Sequence, residues 1–158
     1  MPDADRLSAV TLDEAGLPPP TPEIEQERQV AIFDLLESNR FRLAGATAPG
    51  PYQLTLAVND GRLGMRLATE GGEAAGGLEL SLAPFNQIVK DYFQICESYF
   101  DAVRRLPPAA IEAVDTGRRS IHDQGSRLLL ERLEGRVETD LATARRLFTL
   151  ICVLHYRN

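Results

Sequence analysis

The stretch YQLTLAVNDGRLGMRL (residues 52–67) decides the fold. Tyr52, Leu54, Leu56 and Val58 alternate with Gln53, Thr55 and Ala57; Leu63, Met65 and Leu67 alternate with Arg62, Gly64 and Arg66. A period of two places each apolar set on one face of a strand. Asp60-Gly61 lies between them, a dipeptide suited to a two-residue hairpin turn. Such a turn sets Val58 opposite Leu63, Leu56 opposite Met65 and Leu54 opposite Leu67, so all six share one face. A third strand reads from Leu78 to Leu82, with Glu79 and Ser81 outward. The intervening EGGEAAGG (70–77) lacks the GK[ST] ending and the GxGxxG spacing of phosphate-cradling loops, so it reads as a mobile hairpin tip.

Upstream, LSAVTL (7–12) suggests a short strand, and Pro18-Pro19-Pro20 a stiff connection. Thr21-Pro22 makes a good helix start, with Glu23, Glu25 and Glu27 near the positive end of the helix dipole. Ile24, Ala31, Ile32, Leu35 and Leu36 then repeat at helical spacing. Downstream the pattern is helical to the end. Ala83-Pro84 opens a helix carrying Phe85, Ile88, Val89, Tyr92, Cys96, Tyr99, Phe100 and Val103 as a broad apolar stripe, closed by Pro107-Pro108. A third helical pattern runs from Pro108 to the terminator Gly135, as one helix or, broken at Gly117 and Gly125, as two. Asp140 caps a last helix that is apolar on nearly every side from Leu147 to Leu154, the mark of a central helix.

A chain of 158 residues suits one domain and can bury roughly 70% of its unfolded surface without staples. The fold predicted is α+β: a small antiparallel sheet packed on a layer of about four helices. Residues 1–20 form an acidic N-terminal segment with a short strand, and residues 21–158 a single α+β domain. Net charge is −6, distributed as −7 over residues 1–37, zero over 38–106 and +1 over 107–158. No segment has the basic excess that a nucleic-acid partner requires. No apolar run reaches the ~20 residues of a membrane span, and the acidic start lacks a secretory pattern. Two cysteines in apolar patterns fit a reducing compartment, so the expected location is the cytoplasm.

Five stretches carry a family likeness: ERQVAIFDLLE (27–37), GPYQLTL (50–56), IVKDYFQICESYFDAVR (88–104), GRRSIHDQGS (117–126) and TARRLFTLICVLHYR (143–157). Together they resemble a group of small bacterial proteins, uncharacterised protein family two-six-two of the UPF series. The resemblance spans almost the whole chain and implies a bacterial cytoplasmic protein. It implies no activity, ligand or catalytic residue.

Chemistry concentrates in DTGRRSIHDQGSR (115–127). On a helix, His122 has Arg118 one turn before it and Ser126 one turn after, while Arg119 shares part of that face. Arg118, Arg119, His122, Ser126 and Arg127 are therefore the candidate residues for an anion or a partner, with guanidiniums as two-pronged donors. Buried arginines need paired charges, and only Asp115 and Asp123 are local, so these residues are expected to include surface ones. A loose likeness to histidine phosphotransfer domains is weakened by Gly125 standing one position early and Gln124 replacing a basic residue. The competing reading is a solvated helix face, with Gly117 and Gly125 allowing close packing.

Cys96, Cys152 and His155 are too few for a zinc site, and nothing nearby activates either thiol, so neither metal nor cofactor is expected. The sequence thus favours a non-catalytic regulatory or protein-interaction module with an unidentified protein partner. The alternative is a phosphate-handling protein centred on His122. The width of the stripe over residues 85–103 suggests a homodimer.

Overall fold

The computed structural model describes residues 4–157; the first three residues of the acidic N-terminal segment and Asn158 lie outside the described residues. The expected hairpin forms as β3 (Tyr52–Asn59) and β4 (Arg62–Thr69), with Leu54, Leu56 and Val58 opposite Leu67, Met65 and Leu63. Asp60 and Gly61 both take positive φ, 52° and 73°, as the tight turn demands. All six apolar residues are buried.

Two expectations about the sheet need correction. It is mixed rather than antiparallel, because β1 (Leu7–Leu12) lies parallel to β3 in the order β1-β3-β4-β5. The connection between them includes the helix α1 (Pro22–Glu37), and a crossover of this length can return a strand in the same direction. Leu7 and Leu12 are buried, so part of the N-terminal segment joins the core. The third hairpin strand, β5, covers Ala74–Ser81 rather than 78–82. Gly71 and Gly72 lie in the hairpin turn as read, but Gly76 and Gly77 enter the strand: a Cβ on Gly77 would stand 2.5 Å from the Met65 carbonyl oxygen. A two-stranded ribbon of β2 (Phe41–Leu43) and β6 (Val137–Thr139) was not legible at three residues a strand.

The helices begin and end where their caps place them. The Thr21 hydroxyl accepts from the Ile24 amide at 3.2 Å, and Asp140 accepts from Thr143 at 2.8 Å. A single 3-10 turn at Ala83–Phe85 leads into α2 (Asn86–Arg105). Helix α3 (Pro108–Leu133) is one continuous element, and α4 (Leu141–Arg157) follows. Helix α4 buries every residue from Leu150 to Leu154 and touches α1, α2, α3 and β3, so it is the hub of the core. Among the described residues no helix is long and apolar enough to cross a membrane.

The apolar stripe of α2 is largely absorbed inside the chain. Phe85, Val89, Tyr92, Phe93 and Cys96 are buried, and α2 packs on α3 and α4. Of the stripe's residues, Val103 is the large hydrophobic left exposed. The width from which a homodimer was expected is thus used within one molecule.

Gly117 and Gly125 stay within α3 because they face neighbours. A Cβ on Gly125 would fall 2.1 Å from Phe148 Cζ, with two further ring atoms within 2.5 Å. On Gly117 it would meet only the Ile95 Cδ1 tip, at 2.8 Å. Gly125→Ala is therefore predicted to destabilise by about 2 kcal/mol, overpacking outweighing the gain in helix propensity. Gly117→Ala should cost less than about 0.5 kcal/mol, because a flexible side-chain end can move. Urea unfolding of both variants checks this; equal effects would refute the packing argument.

Candidate functional site

Successive turns of α3 carry the polar face inward, from surface to core. The Arg118 side chain is 27% exposed, His122 is half-buried, and Ser126 is fully buried, followed by Leu129 and Leu133. Arg119 and Arg127 lie on the outer side, at 78% and 63% exposure. The five candidates therefore do not make one open surface. Ser126 donates its hydroxyl to the His122 carbonyl at 2.7 Å and does not face solvent.

Two aspartates organise the arginines. Asp115 is shared by Arg118 and Arg119, each at 2.6 Å. Asp123 is shared by Arg127 at 2.8 Å and by Arg145, from α4, at 2.9 Å. With Glu27, which also pairs with Arg118, four guanidiniums face three carboxylates, which leaves a local positive excess of one. The arginine hydrogen bonds hold both aspartates below their ordinary pKa. Arg118 also lies over the Tyr99 ring, 4.6 Å from its centre, and 3.9 Å from Glu27 of α1.

His122 is held from three sides. Its ring packs on Tyr92 and Phe148, with centres 5.3 and 5.2 Å away. Its Nε2 lies 2.7 Å from the Thr149 hydroxyl. That hydroxyl donates to the Arg145 carbonyl at 3.2 Å, so it accepts from His122, which places the ring proton on Nε2. Nδ1 keeps the lone pair and points toward Ser126 Oγ, 3.4 Å away in the core. Burial, followed by the charges of Arg145 and Arg118, pushes the ring's pKa down to about 4. A neutral ring whose free nitrogen faces inward is poorly placed to accept a phosphoryl group.

A cleft of about 360 Å³ opens between α1, α3 and α4, with Val30, Asp34, Arg146 and Thr149 in its walls. A second, of about 550 Å³, reaches outward past Thr116, Arg119, Ser120 and Asp123. Tyr92, Arg118, His122 and Arg145 line both, so the two form one groove across α3.

Sequence reasoning missed Glu27, Tyr92, Arg145 and Thr149 as members of this site. Glu27 falls on the buried Ile24–Ala31–Leu35 face of α1, where an acid is out of place. Its carboxylate accepts from the Tyr92 hydroxyl at 3.1 Å, and burial raises its pKa. Thr149 is likewise the one polar residue in the apolar run 147–154. Those two interruptions were the available signals. Cys96 and Cys152 are free and buried; burial pushes the Cys96 thiol up to about 12, so it is not an activated nucleophile. His155 bonds Asn86 at 2.6 Å, and among the described residues no three His, Cys, Asp or Glu are grouped to hold a metal.

Comparison with known proteins places this arrangement. The profile of the Uncharacterised protein family (UPF0262) matches residues 4–157. The chain belongs to that family. A UPF0262 protein of Roseobacter denitrificans is 62% identical over 155 residues, covering 96% of this chain and 98% of its own. Those of Paracoccus denitrificans and Jannaschia sp. are 60% and 63% identical over 155 and 148 residues; they cover 96% and 93% of this chain and 96% and 95% of their own. No solved structure matches significantly. The UPF0262 name states no activity, so a role rests on the geometry.

The depressed His122 pKa sets a pH dependence. Unfolded, the ring titrates near its ordinary 6.5; folded, at about 4. Between these values the unfolded chain binds a proton that the folded chain refuses, so stability falls as pH drops through this window. His155, also depressed by burial, acts in the same direction; Glu27, raised, opposes it as pH falls through its own higher value. Wild-type protein should lose about 2 kcal/mol between about pH 7 and about pH 5. His122→Gln should flatten most of that slope in urea unfolding. A slope that His122→Gln leaves unchanged would mean that the ring is solvated and titrates alike in both states.

Proposed function

We propose that this UPF0262 protein is a non-catalytic cytoplasmic interaction module that binds an acidic segment of another protein bearing an apolar anchor. The observation that carries the reading is the exposed apolar row on α1 beside the arginine groove. Phe33 is 68% exposed and Val30 51%, with Leu36 continuing the row. Val30 also lines the groove, so the row and the basic surface are continuous. Exposed aromatic and aliphatic groups flanked by uncompensated charge are features of partner surfaces. An acidic segment would meet Arg119 and Arg145 while its apolar side chain covers Phe33. The two free, buried cysteines are compatible with a reducing cytoplasm.

Arg119 and Phe33 are exposed, so Phe33→Asp and Arg119→Glu should each change stability by less than about 0.5 kcal/mol. Both should abolish the partner complex seen by native mass spectrometry of protein isolated from its own organism. Arg62→Glu, on β4, should leave that complex intact. Retention by both groove variants would refute the proposal. A second copy of the chain is the other occupant to distinguish. Light scattering at the mass of one chain, 17.4 kDa, would exclude a stable homodimer.

A further inference from the structure

A separate cavity of about 330 Å³ opens where the first turns of α1 meet α2 and the end of α4. Its walls are Ile24, Phe93, Phe100 and Tyr156. The Phe93 and Tyr156 rings stack with centres 4.2 Å apart. Phe93 is buried and Tyr156 about half exposed, so the pair forms one aromatic wall from core to mouth. This size lies at the low end of the range for small-molecule pockets, roughly 300–1,000 Å³.

The polar groups of this cavity are nearly all anionic. Glu23, Glu97 and Asp101 stand around it and Glu27 also lines it, against the single cation Arg104. Arg104 lies 3.9 Å from Glu23 and is 73% exposed. Glu27 is the telling residue, because its side chain is only 18% exposed. A buried carboxylate is ordinarily matched by a close cation. The nearest one here, Arg118, is 3.9 Å away, shares Asp115 with Arg119, and lines the groove rather than this cavity. Tyr92 supplies a neutral hydrogen bond only.

An apolar aromatic wall beside a buried carboxylate, with Arg104 the one cation in the lining, specifies a ligand class. We propose that this cavity binds a small organic ammonium ion, its apolar stem against Phe93, Phe100 and Tyr156 and its charged nitrogen at Glu27. The aromatic rings pack the stem, and the carboxylate makes charge-assisted hydrogen bonds with the ammonium. A neutral analogue keeps the stem contact and loses the charge-assisted bonds, and an anion meets four carboxylates. Glu27 borders both openings, but Phe33 and Arg119 belong to neither the cavity nor its walls, so the Phe33 and Arg119 variants test the groove without touching this site.

The test is a titration of the full chain, followed by NMR and calorimetry, with three probes of similar shape: phenethylammonium, 2-phenylethanol and phenylacetate. Phenethylammonium should bind saturably and at least about tenfold tighter than the alcohol, and phenylacetate should not bind. Glu27→Gln keeps the size and removes the charge, and should weaken the ammonium at least about tenfold. Tyr156→Ala trims the half-exposed part of the wall and should weaken ammonium and alcohol together. No saturable binding of phenethylammonium, equal affinity for the alcohol, or binding unchanged in both variants would overturn the assignment.

Discussion

The ring of Phe148 occupies the space that a side chain on Gly125 would fill, and the site depends on that contact. It lets α4 press directly on the backbone of α3. Once the helices stand this close, His122, almost one turn before Gly125, packs on the same ring and its Nε2 reaches Thr149. Arg145, one turn before Thr149, is then brought to Asp123. The buried histidine, the Arg145–Asp123 pair and the groove above them follow from one missing Cβ.

Most of the fold was legible because it rests on local rules. The hairpin declared itself by alternation plus Asp60-Gly61, and the helices by Thr21-Pro22, Pro107-Pro108 and Asp140. The parts that resisted are those set by distant packing. The β1 segment can be a strand in isolation, but nothing within it says that it pairs parallel to β3. Gly77 looks like a loop residue because its reason is the backbone of the neighbouring strand, and Gly76 because its reasons are a φ of 130° and the Leu43 side chain. The two three-residue strands at 41–43 and 137–139 are defined only by each other.

The candidate site was legible to the same extent. Helical spacing correctly joined Arg118, His122 and Ser126 on one face of α3. It could not tell that this face turns inward, because a polar triplet with period four reads alike on either side of a helix. Burial then changes the chemistry of each member. The histidine is neutral, the serine is occupied by a backbone carbonyl, and the charges that remain outside belong to Arg119, Arg127 and Arg145.

Glu27 borders both the groove and the aromatic cavity, and among the described residues no other does. Its ionisation is opposed by burial and favoured by Tyr92 and Arg118. Any ligand that fixes a negative charge on Glu27 from one side therefore alters the field at Arg118 on the other. Thermodynamic linkage requires the converse effect to have the same free energy. A charge bound in either opening would thus act on a carboxylate that the other opening also touches, with no helix having to move.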